Sequence, residues 1–395
     1  MFPRRMVLDF EGRRLQGVRP FAVFETKDGA WTWHSERAHF PFHDGHGNPL
    51  NEIQVALAWC RENVNNGGAA IGFLAYDLAR QIELRAFLPT SPRDDLHIPD
   101  ARLVFYEALH SAPIEYSHSA TATRREDDVA AQPEYLQAIE RIQAYIAAGD
   151  IYQANFTQRF YEPLPCPPDQ LYDNLCGAHP MPFSALLHWN DLSIVSNSPE
   201  RFLKLHNNTL TAQPIKGTVR RGGTAEEDEY SKDALRNSIK DRAENVMIVD
   251  LLRNDLGRVC RWGSVRVPQL FEVQSFPTLH HLVSTVSGEL RPDCDAVDAM
   301  RACFPCGSIT GAPKIRAMQI IDELEATRRG VAMGAIGYFA FNGDMDWNVA
   351  IRTITCKNNV AYFHVGGGIV ADSTAQDEHS EMRLKAQALR TALAT

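Results

Sequence analysis

Thr209-Leu210-Thr211-Ala212-Gln213-Pro214-Ile215-Lys216-Gly217-Thr218-Val219-Arg220 consists of two strand-like runs, with a lysine at their junction. Proline fixes its own φ, and glycine lets another backbone or a substrate come close. A lysine held in such a place, with Glu200 upstream and acidic residues downstream, indicates a functional site. An ordinary surface lysine would have the same local sequence, so the rest of the chain has to distinguish the two interpretations.

The composition is that of a globular protein. The chain has 395 residues, of which 44% are hydrophobic and 23% charged, enough to fill a sizeable core in one large domain or two. The net charge of −9 and the lack of a long basic run argue against nucleic acid or an anionic membrane as partner. No run reaches the roughly 18–20 apolar residues that cross a bilayer. We therefore expect a soluble, cytoplasmic protein.

The eight cysteines are scattered along the chain, which is typical of reduced cysteines in a core. Cys303-x-x-Cys306 has the spacing of half a zinc or redox site, but no second cysteine or histidine pair stands at usable spacing. We expect a structural role for both residues.

The order of patterns along the chain predicts a mixed α/β fold. Residues 1–116 contain short buried strands and turns, and residues 117–133 are polar and predict a surface linker. Residues 134–390 interleave long helices with strands that often come as hairpin-like pairs. This interleaving favours largely antiparallel sheets.

Two predicted helices each have a pair of carboxylates three residues apart: Asp241 with Glu244, and Glu378 with Glu381. Residues at i and i+3 share a helix face, so each pair places two like charges side by side. Two such faces could converge on Mg²⁺, which prefers carboxylates, waters and an anionic substrate. Neighbouring lysines and arginines could equally neutralise two exposed faces.

Glycine-rich turns and one arginine offer sites for an anion. The segment 307–314 has glycines, hydroxyls and a proline at the predicted start of a helix, where backbone N–H groups and the helix dipole favour an anion. Gly366-Gly367-Gly368 after a strand offers further bare amides. Arg352 lies in a β-rich run, where burial requires an anionic partner such as Asp344, Asp346 or a substrate carboxylate.

Two more polar residues lie in strand-like runs. Gln153 begins the polar face of an alternating strand, which could meet solvent or a polar pocket. His281 is one of two consecutive histidines, and a histidine in such a run is more often structural than catalytic.

Taken together, these motifs resemble the chorismate-utilising enzymes over residues 134–390. The resemblance implies a single large domain with two facing, mainly antiparallel sheets, helices packed outside and Mg²⁺ as the required ion. The motifs that match are Pro214–Thr218, Asp241–Asp255, His281–Ser284, Phe304–Lys314 and Gly366–Val370.

The resemblance also implies a role for individual residues. Glu244 and Glu381 match metal-binding carboxylates, with Asp241 and Glu378 beside them. Glu200 matches the general acid that helps the C4 hydroxyl of chorismate leave. The remaining matches are His281 near the reacting ring, and Gln153, Ser308, Arg352, Gly366, Gly367 and Gly368 as substrate-binding residues.

Lys216 separates the subgroups of the family. Members that form anthranilate typically have alanine there, whereas a lysine implies attack on C2 of chorismate, entry of ammonia at C4 and formation of 4-amino-4-deoxychorismate. Gln153 replaces the lysine of members that activate water, and Cys306 replaces the usual glycine or alanine. The chain has no Gly-x-Cys-x-Gly motif, so the ammonia is expected from a separate glutamine amidotransferase subunit. An anthranilate-forming enzyme and a non-catalytic docking subunit are the alternatives.

Overall fold

The computed structural model of the protein describes residues 2–64, 66–87, 92–114, 133–178 and 180–394. The predicted linker at 117–133 lies outside these residues, apart from Pro133. The α-helices in the described part are α1 Pro49–Asn63, α2 Ala79–Ile82, α3 Pro133–Ala147, α4 Pro168–Ala178, α5 Ala225–Arg236, α6 Ile239–Gly257, α7 Ala296–Cys303, α8 Lys314–Leu324 and α9 Ala375–Leu393. None of these helices has the length and apolar character that a membrane crossing requires.

The strands fall along the whole described chain. They are β1 Arg5–Phe10, β2 Arg13–Lys27, β3 Ala30–Ser35, β4 Gly45–His46, β5 Ala69–Leu74, β6 Ala101–Pro113, β7 Gln153–Pro163, β8 Phe183–His188, β9 Ser193–Ser198, β10 Arg201–His206, β11 Thr209–Gln213, β12 Ile215–Arg220, β13 Arg266–Ser275, β14 Leu279–Glu289, β15 Gly311–Ala312, β16 Ala335–Ala340, β17 Met345–Val349, β18 Thr353–Lys357 and β19 Val360–Ile369.

These strands form one hydrogen-bonded system with two arms. The first arm runs in the order β4-β3-β2-β6-β5-β16-β17-β10-β11-β14-β13. The strand β12 continues after β11 and pairs with the next part of β14. The second arm runs β1-β8-β9-β18-β19-β7-β15. The ladders between named strands are antiparallel, and the arms join where Leu8–Phe10 of β1 pair with Arg13–Leu15 of β2.

The alternating side chains of β1 show how the two arms are stacked. Met6, Leu8 and Phe10 pack in a core that both arms share. Val7 packs on the opposite side of the second arm, in a core with α3, α4, α8 and α9. The outer side of the first arm packs against α1, α6 and α7 in a third core. The predicted α+β (mixed α/β) single domain, with two facing antiparallel sheets and helices outside, is therefore confirmed, and the two sheets are arms of one system.

Besides the turn between the paired strands β1 and β2, two short segments, which we call the crossovers, each connect a strand of one arm to a strand of the other with which it does not pair. The first, Ser198–Arg201, leads from β9 to β10, and the second, Val349–Thr353, leads from β17 to β18. They are bonded to each other: the Ser198 hydroxyl donates to the Val349 carbonyl (2.7 Å), and the Val349 N–H donates to the Glu200 carbonyl (3.0 Å). The segments that contain Glu200 and Arg352 are thus held against each other.

Candidate active site

Lys216 lies on a β-bulge in β12. Ile215 pairs with Val283 of β14, but the next pair is Thr218 with His281, so β12 has one residue more than β14 here. Gly217 accommodates the bulge with a φ of +87°, a value that glycine adopts without strain. Because a bulge re-aims the side chains next to it, Lys216 leaves the ordinary alternation of the strand.

The side chain of Lys216 points into the protein. It is 13% exposed, and its Nζ lies 4.0 Å from Oε2 of Glu244 on α6. On the other side is β19 of the second arm, where a Cβ placed on Gly368 would come within 3.5 Å of Lys216 Nζ. The interpretation of Lys216 as a surface lysine is therefore wrong.

Glu200, in the first crossover, is buried with 3% of its surface exposed. Burial raises the pKa of its carboxyl to about 7, although Ser308, the Lys216 charge and the Ile215 backbone act in the opposite direction. Its Oε1 is buried with no hydrogen-bond partner. A carboxyl with this pKa is half protonated near pH 7 and can donate a proton, as a general acid requires.

His281, on β14, is also buried. Its Nδ1 lies 2.8 Å from the Thr218 hydroxyl, and its Nε2 is buried with no partner. Burial, followed by the positive charge of Arg352, lowers the pKa of His281 to about 4. The imidazole is therefore neutral at pH 7, with one ring nitrogen available to a ligand.

Arg352, in the second crossover, has no anionic partner among the described residues. Asp346 instead binds Arg201 (3.0 Å) and Asp344 binds His206 (3.0 Å), so neither of the carboxylates considered from the sequence pairs with Arg352. Burial lowers the pKa of its guanidinium. Its φ of 49° lies in the left-handed region, which costs a non-glycine residue roughly 1–2 kcal/mol. The remaining option from the sequence is a substrate carboxylate.

Gln153 faces Gly368, the last of three consecutive glycines in the second arm. Gly366, Gly367 and Gly368 lie inside β19, paired with β7, so their placement after a strand was wrong. A Cβ on Gly368 would lie 2.5 Å from Nε2 of Gln153, so any larger residue there would displace the Gln153 side chain. The Gln153 side chain is fully buried, and neither its Nε2 nor its Oε1 has a hydrogen-bond partner. Such an orphaned amide requires a ligand or water in the space that it faces.

Ser308 is positioned by the segment before α8. Gly307–Ile309 form a 3₁₀ turn, and β15 then pairs Ala312 with Gln153, which holds the turn beside β7. Ser308 is buried and lies 3.3 Å from the Cys306 sulfur. The anion site expected in 307–314 thus has a buried hydroxyl at its centre.

The lysine of the same segment has a role that the sequence did not reveal. Lys314 Nζ donates to Asp255 (2.5 Å) and to the carbonyls of Cys303 (2.8 Å) and Pro305 (2.9 Å). It therefore ties the turn to α6 and is not free to bind an anion. The sequence also indicated no role for Thr218, whose hydroxyl contacts His281. The signal that could have identified it is a hydroxyl two residues after Lys216.

One member of each acidic pair lies in the first turn of its helix, Asp241 in α6 and Glu378 in α9, and Glu244 and Glu381 follow one turn later. Ser238 caps α6 and Thr374 caps α9, and the positive helix ends favour carboxylates there. Burial raises the pKa of both Glu244 and Glu378, and the charge of Glu378 raises that of Glu244 further. The acidic faces of the two helices are therefore close enough for their charges to interact.

Glu381 differs because a cation already neutralises it. Lys385 lies 2.7 Å away and lowers the pKa of the Glu381 carboxyl. Within the described residues, no group of three or more histidine, cysteine, aspartate or glutamate side chains is positioned to hold a metal ion. The oxygen donors have the chemistry that a hard cation prefers, but their side chains are not gathered around one point.

A small cleft lies apart from Lys216, and its lining includes none of the proposed site residues. Its charged lining groups neutralise one another: Arg159 binds Asp95 (2.7 Å), and Lys27 binds Asp94 (2.6 Å). Arg329, also in the lining, pairs with Glu325 (2.8 Å). We interpret this cleft as a structural network of ion pairs.

The comparisons with known proteins agree on one family. The family model described as chorismate binding enzyme matches residues 8–391. Aminodeoxychorismate synthase component 1 of Salmonella typhimurium is 42% identical over 339 residues, which cover 80% of this chain and 74% of that protein. Anthranilate synthase component 1 of Bacillus caldotenax is 35% identical, covering 95% of this chain and 85% of that protein. The structure of anthranilate synthase component I from Streptococcus pneumoniae TIGR4 matches with a TM-score of 0.79 and 30% identity, over 98% of this chain and 93% of that one.

Proposed function

The chain belongs to the chorismate binding enzymes, and we propose that within this family it converts chorismate and ammonia to 4-amino-4-deoxychorismate and water, as an aminodeoxychorismate synthase component 1. The observation that carries the proposal is the placement of Lys216. Its amine is inside the protein, 4.0 Å from Glu244, in the space that Gln153 and Gly368 also face. A primary amine in that place can act as a nucleophile.

The proposed reaction has two displacements. The Lys216 amine forms a bond to C2 of chorismate while the C4–O bond breaks, and protonated Glu200 supplies the proton with which the hydroxyl leaves as water. Ammonia then bonds to C4 and the Lys216 amine leaves C2. The Glu200 carboxylate takes the surplus proton from the new ammonium group, which restores the starting state. The pKa of about 7 suits Glu200 to both steps.

Other side chains would bind the substrate, which carries two carboxylates. Arg352 is a half-buried cation with no carboxylate partner among the described residues, and it is proposed to bind one of them. Gln153 is proposed to donate to the substrate, since its amide has no partner, and Ser308 is proposed to contact the substrate beside it. The neutral His281 can contact the ring without competing for a carboxylate.

We further propose Mg²⁺ as the cofactor, held by Glu244 and Glu381 with Asp241 and Glu378 beside them. When bound, the ion would supply positive charge to hold a substrate carboxylate. The raised pKa of Glu244 supports this, because a cation would offset both causes that oppose its ionisation, which are burial and the nearby charges of Asp241 and Glu378. Mg²⁺ should therefore raise the melting temperature of the wild type. Glu244→Gln should lose this shift, and Glu140→Gln, an exposed residue of α3, should keep it.

The ammonia is proposed to come from a glutamine amidotransferase subunit. The designation component 1 in its relatives supports a second component. The purified chain should then use ammonium salts directly and glutamine only when that subunit is added. A cytoplasmic location and a place in folate biosynthesis, through para-aminobenzoate, remain predictions of this assignment.

The test is the product formed from chorismate, ammonium and Mg²⁺, identified by chromatography and mass spectrometry. We expect 4-amino-4-deoxychorismate from the wild type and its loss in Lys216→Ala. The matched control is Lys204→Ala, which replaces a lysine of β10 that pairs with Glu11. Fluorescent anthranilate would instead support the alternative favoured by the 35% identical Bacillus caldotenax relative. Unchanged chorismate consumption in both Lys216→Ala and Glu200→Ala would point to a non-catalytic docking subunit.

A further inference from the structure

Cys306 lies next to the proposed acid, in the turn that leads to Ser308. Its side chain is buried, with 3% exposed, and its sulfur lies 3.3 Å from the Ser308 hydroxyl oxygen. The Ser308 hydroxyl also lies beside the Glu200 carboxyl and lowers its pKa. The thiol, hydroxyl and carboxyl therefore follow one another in a buried row, and Oε1 of the carboxyl has no hydrogen-bond partner.

The direction of these hydrogen bonds follows from the number of protons. A serine hydroxyl has one O–H to donate, and an ionised carboxylate can only accept. If Ser308 donates to the Glu200 carboxylate, its oxygen has to accept from the thiol of Cys306. Burial raises the pKa of Cys306 to about 12, so the thiol keeps its proton at the pH of the reaction.

We propose that Cys306 is a positioning residue for the reaction proposed above: its S–H donates to Ser308 and thereby directs the Ser308 proton at Glu200. Without the thiol, the Ser308 hydroxyl can rotate away, and the ionised form of Glu200 loses part of its stabilisation. The other groups that face Glu200 are the Lys216 side chain of β12 and the Ile215 backbone, and neither depends on Cys306. The inference rests on the proposed role of Glu200 as acid.

The first test is the pH dependence of kcat/KM for chorismate. Because Glu200 must be protonated to act, activity falls as pH rises through its pKa of about 7. Cys306→Ala should move this fall to higher pH by about 0.5 unit, since a carboxylate that loses a donor becomes more basic. Cys306→Ser keeps a donor and should resemble the wild type. Cys303→Ala removes another buried thiol, in α7, and should also leave the fall in place.

A purely structural role for Cys306 would give a different result. Cys306→Ala would then lower the melting temperature and kcat at every pH, while the pH of the fall stayed at its wild-type value. That outcome would overturn the proposal. So would a Cys303→Ala variant that moved the fall by the same amount as Cys306→Ala.

A second measurement does not depend on catalysis. The infrared S–H stretching band of Cys306 is identified by its loss in Cys306→Ala, and it should have the lower frequency of a hydrogen-bonded donor. In Ser308→Ala it should move to the frequency of a free thiol. A band that does not move in Ser308→Ala would contradict the proposal even if the protein did not consume chorismate. Failure of the proposed function and failure of this inference are thus separable.

Discussion

Replacing Glu200 by glutamine should stabilise the protein at alkaline pH while it removes the proposed acid. The Glu200 carboxyl has a pKa of about 7 in the fold, against an ordinary value of 4.5. This difference corresponds to roughly 3 kcal/mol between the two protonation states. Since the pKa is raised by folding, its contribution to stability is full below about pH 4.5 and is lost as pH rises to about 7, above which the loss is constant. Glutamine does not titrate, so Glu200→Gln avoids this loss.

Between pH 5 and pH 8 we expect the unfolding free energy of Glu200→Gln to rise relative to the wild type by about 2.5 kcal/mol. The assay is urea denaturation at several pH values, followed by the fluorescence of the six tryptophans, with EDTA present to exclude any cation. Glu140→Gln, on the exposed face of α3, is the matched control and should follow the wild type. The same Glu200→Gln variant should lose about 10²–10⁴-fold in kcat. If its unfolding free energy runs parallel to that of the wild type at every pH, the reasoning about burial is refuted.

The remaining predictions concern packing, ion pairing and protonation. Gly368→Ala would place a Cβ 2.5 Å from Gln153 Nε2, and we expect a loss of about 1–3 kcal/mol and a higher KM for chorismate. Gly257→Ala, whose Cβ would meet nothing within 4 Å, is the control in both measurements. Arg329→Met removes one half of a buried ion pair of 2.8 Å and should cost about 3–5 kcal/mol in urea denaturation; an unchanged midpoint would contradict this. His281, with a pKa of about 4, should stay neutral from about pH 6 to 9 in ¹⁵N spectra of its ring, and titration near the ordinary pKa would count against the buried site.

Local patterns in the sequence were sufficient for the fold class and for several elements. The terminal signals predicted the start of a helix in 307–314, close to the observed start of α8 Lys314–Leu324. The i, i+3 spacing placed Glu378 and Glu381 on one helix face, since that relation depends only on the geometry of the helix.

Relations between distant segments could not be read in the same way. Sequence spacing does not say that α6 and α9 turn their acidic ends toward each other, because that depends on how both helices pack on the two arms. The bulge at Lys216 depends on how β12 pairs with β14, and Gly217 is the one local residue that indicates it. The inward direction of Lys314 depends on Asp255, 59 residues away along the chain.

The paired crossovers have a consequence for how the chain tolerates changes in length. Side chains alternate in and out along a strand, so one extra residue between Ser198 and Arg201 would exchange the two faces of β10. The same insertion in the segment that contains Arg352 would turn β18 inside out. An insertion in a surface hairpin such as the one between β2 and β3 has no such effect, because the turn can lengthen while the two strands keep their pairing. We therefore expect natural length variation to occur at the outer hairpins and not in these two segments, whose fixed length positions an acid, Glu200, and a cation, Arg352, for the proposed substrate.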